Sequence, residues 1–374
     1  MQTRSNVTRA FFALCNRPFG KRVAWRRNLL HGLMLAAGPA WPLLAPAAEA
    51  QGSYTLTDLG TLGGNYSEAS GVNNLGQVVG LSTTASDPSG AGDGPEHAFL
   101  YSGGSMHDLG TLGGVESEAS GVNDLGQVVG DSDTLGNATT HAFLYGGGRI
   151  RDLGTLGGAN SYAAAVNRLG QVVGYSQALG NATTHAFLYG GGRMQDLGTL
   201  GGPSSYASGI NDLGQVVGYS YTLGGSTTHA FLYSDGRMRD LGTLGGTKSY
   251  AWGINDRGQV VGDSFTPGNV ATHAFLYSDG RMQDLGTLGG TSSYAYGINN
   301  RGEVVGSSYT SGDNALHAFV YSNGRMQDLG TLGGTNSGAS GANDLNQVVG
   351  ASTTAGIAPV HAFLYSANLV KTRP

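Results

Sequence analysis

From Tyr54 onward the chain is written in short apolar bursts, each cut off by Gly, Asn or Asp. The stretch 249–290 reads SYAWGINDRGQVVGDSFTPGNVATHAFLYSDGRMQDLGTLGG. Four bursts stand out in it: SYAWGIN, GQVVGDS, HAFLYS and GRMQDL. They are rich in β-branched and aromatic residues and are bounded by turn residues, the pattern of β-strands. NDRG joins the first burst to the second and SDG joins the third to the fourth. Asn, Asp and Gly tolerate the positive φ of tight turns, so each pair is expected to be antiparallel. The link between the second and third bursts varies: TLGNATT, YTLGGSTT, FTPGNVAT, YTSGDNAL. The first copy carries six extra residues there, around DPSGAGDG. Variable length inside a fixed frame marks a surface loop.

The set of four recurs. DLGTLGG begins at Asp58, Asp108, Asp152, Asp196, Asp240, Asp284 and Asp328, a step of 50 and then five steps of 44. A fixed period of this length signals a repeat architecture. Four antiparallel strands per ~44 residues, seven times over, predict an all-β, seven-bladed β-propeller. A β-solenoid is the competing arrangement, but it has no need of complementary ends. Here the ends complement each other. SYTLTDLG precedes the first GTLGG with no blade of its own, and the last unit stops after HAFLY at Tyr365. Tyr54–Asp58 is therefore expected to pair beside His361–Tyr365 and close the ring. An open array would leave an unpaired apolar edge. GTLGG is expected to connect successive blades, with Leu62 and its equivalents filling the gap between them.

The paired motifs DLGTLGG and HAFLY resemble the HAF family of probable extracellular repeats found in bacterial proteins. HAF stands at His97, His141, His185, His229, His273, His317 and His361. The resemblance covers about residues 53–365. It implies export, and it implies no defined catalytic activity, so it brings no active-site residues.

Composition fits both readings. Glycine makes up 66 of 374 residues and 39% of the chain is hydrophobic, too apolar and too regularly patterned for disorder. Residues 1–50 differ from the rest. Arg4, Arg9, Arg17, Lys21, Arg22, Arg26 and Arg27 precede a short, proline-broken apolar run that ends in Ala48-Glu49-Ala50. A basic, then apolar, then A-x-A order is that of a secretory signal peptide. WRRNLL weakly resembles a twin-arginine signal, and the Sec route is the better match. The expected domains are a signal at 1–50, the propeller at 51–366 and a tail at 367–374, with the product periplasmic or extracellular. Cleavage after Ala50 removes seven positive charges and one negative, which leaves a net charge of −11. That balance argues against nucleic acid or an anionic membrane as partner. The one cysteine, Cys15, lies in the leader, so the mature chain has neither disulfide nor thiol chemistry. No membrane span follows the leader, and a monomer is expected.

The candidate chemistry is sparse. If strands lie ~4.8 Å apart, third strands of neighbouring blades stand roughly 15 Å from each other. Imidazoles that share a zinc sit ~2 Å from it, so the HAF histidines cannot hold one ion together. A repeated hydrogen bond at the start of strand three is their expected role. GTLGG lacks the Lys-Ser/Thr and the strand-to-helix context of a phosphate loop. No metal, cofactor or catalytic residue is assigned.

Departures from the repeat say more. The second position of burst one reads Glu68, Glu118, Tyr162, Tyr206, Tyr250, Tyr294, Gly338, and two residues on it reads Ser70, Ser120, Ala164, Ser208, Trp252, Tyr296, Ser340. The residue after VVG reads Leu81, Asp131, Tyr175, Tyr219, Asp263, Ser307, Ala351. Blades three to six are thus aromatic, whereas the other arc carries Glu68, Glu118, Asp131 and Asp133. Tyr162, Tyr206, Tyr250, Trp252, Tyr294 and Tyr296 form a candidate mouth that would stack on a glycan or a peptide. The plainer reading packs them between blades. An enzymatic alternative, a carbohydrate-active hydrolase or lyase, would use Glu68 and Glu118, about 7 Å apart as in inverting glycosidases. Two similar repeats explain that pair equally well. The expected function is an exported, non-catalytic binding module that presents variable loops on one face to a glycan or protein.

Overall fold

Each repeat folds into four strands because its apolar bursts alternate with turns that only Gly, Asn or Asp satisfy cheaply. The computed structural model describes residues 54–85, 94–355 and 360–367; the leader with Cys15, most of the first copy's long loop and the tail lie outside them. One compact unit spans Thr55–Ser366. It is a seven-bladed β-propeller, seven sheets of four antiparallel strands each. Blade 3 shows the plan with strands Gly157–Val166, Val172–Ala178, Thr184–Gly190 and Arg193–Asp196. Blades 1, 2, 4, 5, 6 and 7 start at Gly63, Gly113, Gly201, Ser249, Gly289 and Gly333.

The short links carry the expected chemistry. Between strands three and four, Asp235 and Gly236 take φ of 52° and 74°, as a two-residue type I′ turn requires. Antiparallel order then sorts the links. Turns 1–2 and 3–4 emerge on one side of the ring, the turn face. Loops 2–3 and the connectors between blades emerge on the other, the loop face.

The ring closes as the ends predicted. Tyr54–Asp58 is the outer strand of the last blade, beside Val360–Ala367 in the order 54–58, 360–367, 347–354, 333–342. Closure repeats the bonds of every other seam. His361 Nδ1 meets Asp58 Oδ2 at 2.6 Å, Leu59 N–H donates to Ala362 O at 3.2 Å, and Ala362 N–H donates to Ser67 Oγ at 3.1 Å.

Seven apolar clusters hold the blades together, one per seam. The cluster between blades 2 and 3 joins Val129 and Ala142 to Leu153, Ala163, Val172 and Phe187. The HAF phenylalanine lies at the centre of each such cluster and is essentially fully buried in all seven copies. A Phe→Ala change there removes about 3–5 kcal/mol.

DLGTLGG does more than connect. In the second copy Asp108 takes His97 on Oδ2 and the Gly110 N–H on Oδ1. Leu109 is buried, and Thr111 Oγ1 donates to Gly114 O while accepting from Gly113 N–H. Leu112 packs against the seam, as expected of Leu62 and its equivalents. One expectation is corrected. The two glycines are not connector in six of the seven blades but open a ten-residue inner strand, as in Gly113–Val122. A ladder needs backbone rather than apolar side chains, and a Cβ on Gly114 would lie 2.4 Å from the Asp133 side chain. Blade 5, whose inner strand is Ser249–Ile254, is the exception.

Candidate functional site

Every inner strand is followed by a buried Asn that opens turn 1–2. Asn167 shows its use. Its Oδ1 accepts the N–H groups of Leu169 and Gln171, and its Nδ2 donates to the carbonyl oxygen of Asn211 in the next blade. The same inter-blade bond runs through Asn73, Asn123, Asn167, Asn211, Asn255, Asn299 and Asn343 and back to Asn73, at 2.8–3.1 Å. The circle is complete.

The following residue forms a second circle: Asn74, Asp124, Arg168, Asp212, Asp256, Asn300, Asp344. In six blades its N–H donates to the side-chain oxygen of the next member, at 2.7–2.9 Å. The seventh bond, from Asp124, is missing because Arg168 offers no acceptor. Arg168 instead pairs through Nε with Asp212, whose hydrogen bond and charge raise the guanidinium pKa. The two circles and the Val, Ile or Ala before them line a central cavity of about 260 Å³.

That cavity is acidic. Asp124, Asp256 and Asp344 accept bonds from neighbouring N–H and amide groups; the close ion pair of Arg168 is with Asp212, and its charge is felt more weakly by Asp256 and Asp124, so four carboxylates face one cation. Next in sequence come Leu75, Leu125, Leu169, Leu213 and Leu345, which are 59–71% exposed. Blades 5 and 6 carry exposed Arg257 and Arg301 at this position instead.

The six aromatic candidates lie deeper, midway along the inner strands, and none lines this cavity. They interlock with Tyr175 and Tyr219 of the second strands. Tyr162 stacks on Tyr175, which meets Tyr206 of the next blade edge-on; Tyr206 stacks on Tyr219, which meets Tyr250 and Trp252. Trp252 leads to Tyr296, and that ring stacks on Tyr294. Centroid separations of 4.9–6.4 Å make one aromatic array across blades 3–6. Tyr294 is buried and the other five candidates are part-exposed. Trp252 and Tyr296 sit at the β-bulges between Ala251/Gly253 and Ala295/Gly297. A bulge re-aims the side chain it carries, which is why these two depart from the tyrosine positions.

Asp263 lies within the array, at the blade 5 position that Tyr175 and Tyr219 hold in blades 3 and 4. It is 3% exposed, faces Tyr250 across the strand pair and accepts a hydrogen bond from Trp252 Nε1. Burial pushes its carboxyl up to about 7, with the Trp252 bond pulling the other way. Burial likewise raises the phenols of Tyr175, Tyr219 and Tyr294, and takes Tyr250 to about 12. They stay neutral hydrogen-bonding and stacking groups at physiological pH.

Glu68 accepts a hydrogen bond from the Tyr66 hydroxyl at 2.9 Å, and Glu118 stands opposite Asp131 on the neighbouring strand. Neither glutamate lines the central cavity. All seven HAF histidines bond through Nδ1 to the aspartate of DLG, at 2.6–2.8 Å. This is the repeated bond expected at the start of strand three. Among the described residues no three of His, Cys, Asp and Glu gather closely enough to hold a metal ion. No described helix is long and apolar enough to cross a membrane.

Reading NDLG only as a turn misses the two polar circles. A signal was present: aligning the turns shows Arg168 among Asp and Asn, and Arg257 and Arg301 among leucines.

Among solved structures, the chain is similar to the β-propeller domain of the Trilobed protease from Pyrococcus furiosus, with a TM-score of 0.59 and 9% identity over 82% of this chain and 95% of that one. TolB from Acinetobacter baumannii (TM-score 0.43, 12% identity, 78% of this chain and 80% of that chain) and a gluconolactonase from Xanthomonas campestris (TM-score 0.38, 13% identity, 64% and 82%) are more distant. At such identity the first likeness is one of fold alone. No protein-family model and no curated protein matches the sequence.

Proposed function

We propose that this protein is an exported, monomeric, non-catalytic propeller that binds a glycan or protein ligand through its loop face. The observation that carries the reading is at the tips of the variable 2–3 loops. Leu135, Leu179, Leu223 and Val270, in four successive blades, are 83–86% exposed. Apolar side chains held at one level around a rigid ring are the form of an interaction surface rather than of scattered surface residues. The basic, apolar, A-x-A leader and the resemblance to HAF repeats support export. The part-exposed rings of Tyr162, Tyr206, Tyr250, Trp252 and Tyr296 extend the same surface inward, where a sugar or peptide would stack.

Glycan and protein arrays probed with the exported protein test this directly. A ligand is expected whose signal disappears in the triple substitution Leu135→Ser, Leu179→Ser, Leu223→Ser while the thermal melt stays in place. Trp252→Ala and Tyr296→Ala divide the inner aromatics. Lost binding with an intact melt assigns them to the ligand, and a large drop in melting temperature assigns them to packing. Signals that survive the loop-tip triple would refute the loop-face reading.

A further inference from the structure

The loop face leaves the opposite side of the ring unexplained. There Leu75, Leu125, Leu169, Leu213 and Leu345 form an unbroken arc over blades 7, 1, 2, 3 and 4, each more than half exposed, around the mouth of one cavity. Nothing in the turn demands leucine, because Arg257 and Arg301 occupy the same position in blades 5 and 6 without altering the backbone bonds of the turn. Five apolar side chains raised around a single opening mark an interaction site.

Charge decides what covers it. Inside the arc four aspartates, Asp124, Asp212, Asp256 and Asp344, line the cavity with one cation, Arg168, which pairs with Asp212; the lining stays net acidic, and outside the arc lie two arginines. A second copy laid face to face would bring one acidic cavity onto another. An anionic bilayer would meet the same carboxylates. A polypeptide with a cationic side chain at its centre and apolar ones beside it satisfies both zones, because complementary charge fixes register and suppresses wrong partners. We infer that the turn face docks a segment of a partner protein that places a lysine or arginine in the central cavity and apolar side chains over the leucine arc. Arg257 and Arg301 then favour an acidic residue on one side of the segment, which sets its direction across the ring.

The test uses short fluorescein-labelled peptides in which leucines and valines flank one central residue, Lys, Arg, Gln or Glu. Binding to the purified protein is read by fluorescence anisotropy. Lys and Arg peptides are expected to bind at least about tenfold more tightly than the Gln peptide, and the Glu peptide weakest. Two variants must each lose about tenfold. One is Leu125→Ser, Leu169→Ser, Leu213→Ser. The other is Asp256→Asn, Asp344→Asn, which keeps an acceptor and has native precedent in Asn74 and Asn300. Circular dichroism melts check that both variants stay folded. Equal binding of Lys and Glu peptides, no binding of any peptide, or binding indifferent to either variant overturns the inference. So does leucine-dependent binding to phosphatidylcholine–phosphatidylglycerol vesicles, which would make the face a membrane contact. Leucine-dependent self-association in sedimentation would make it a homodimer interface and overturn the inference as well. Array signals that fail with the loop-tip triple bear only on the loop face, so the two readings fall separately.

Discussion

Asp263→Asn is predicted to stabilise the protein at alkaline pH and to bring little or no gain at acidic pH. The wild-type carboxyl titrates near 7 in the folded ring against an ordinary value of 3.8, because burial disfavours its ionised form. Between those two values the unfolded chain has already released the proton that the folded chain still holds. Stability therefore falls as pH rises through the window from about 4 to 7 and is level above it. At ~1.4 kcal/mol per pK unit the penalty at pH 8 is about 4 kcal/mol, and at pH 5 it is less than half of that. Asparagine keeps the acceptor for Trp252 Nε1 and cannot ionise. Its amide hydrogens need partners, at a cost of about 1–3 kcal/mol that does not depend on pH. The informative quantity is thus the change in the mutational effect between pH 5 and pH 8, expected at roughly 2–3 kcal/mol. Urea unfolding at the two pH values measures it. The probe is built in, because Trp252 is the only tryptophan outside residues 1–50, the segment that the proposed export would remove and that a chain starting at Gln51 omits. Its emission should titrate in the wild type near neutral pH and stay flat in the variant. A mutational effect equal at both pH values, with no titration of the emission, would refute the argument that a buried carboxylate sits against this indole.

Three further outcomes follow from the repeat. Asp58→Ala and Asp196→Ala each remove one His–Asp pair and the bond to the glycine two residues on, so they should cost the same, about 1–2 kcal/mol for part-exposed charged hydrogen bonds; a much larger loss at Asp58, read by urea unfolding, would single out the closing seam as the weak one. Gly174→Ala should destabilise by about 3 kcal/mol or more, because its Cβ would lie 1.9 Å from Tyr162 O, whereas Gly190→Ala, with only Gln171 at 3.8 Å, should leave the melt unchanged within error. Arg168→Asn supplies the acceptor that Asp124 N–H lacks but removes the one cation among four carboxylates, so it should fare better relative to the native chain at high salt, where that charge is screened, than at low salt; thermal melts at the two salt concentrations check this, and no salt dependence would refute it.

The features legible in the sequence are those that repetition amplifies. Seven copies of one strand–turn grammar set the blade count, and the unmatched ends around Tyr54 and Tyr365 set the closure. The histidine bond was legible because seven identical residues at strand starts need one shared partner. What stayed hidden depends on contacts between blades. The asparagine circle joins residues mostly 44 positions apart, and no local hydrophobic pattern records a side chain that reaches sideways to its own symmetry mate. The aromatic list was visible as composition, but Tyr175 and Tyr219, which bind it into one array, stand on the second strand and touch it only through the sheet register. The glycine pair was read as connector because a strand segment without side chains leaves no apolar signature.

A ring of near-identical blades has no intrinsic direction around its axis. Bonds that recur at every seam, such as His–Asp, the Asn circle and the buried phenylalanines, hold the wheel equally at every angle and cannot orient a ligand. Only departures from the repeat can. Blades 5 and 6 carry them on both sides. On the turn face they bear Arg257 and Arg301 where the other five blades bear leucine. Midway through the same two blades, Trp252 and Tyr296 replace the small residues found at the other bulges, and Asp263 is buried beside the indole. A ligand on the loop face that reads the aromatics and a segment on the turn face that reads the arginines would each be indexed to the same sector of the wheel. The identical blades supply rigidity, and the two atypical ones supply the bearing from which both surfaces are oriented.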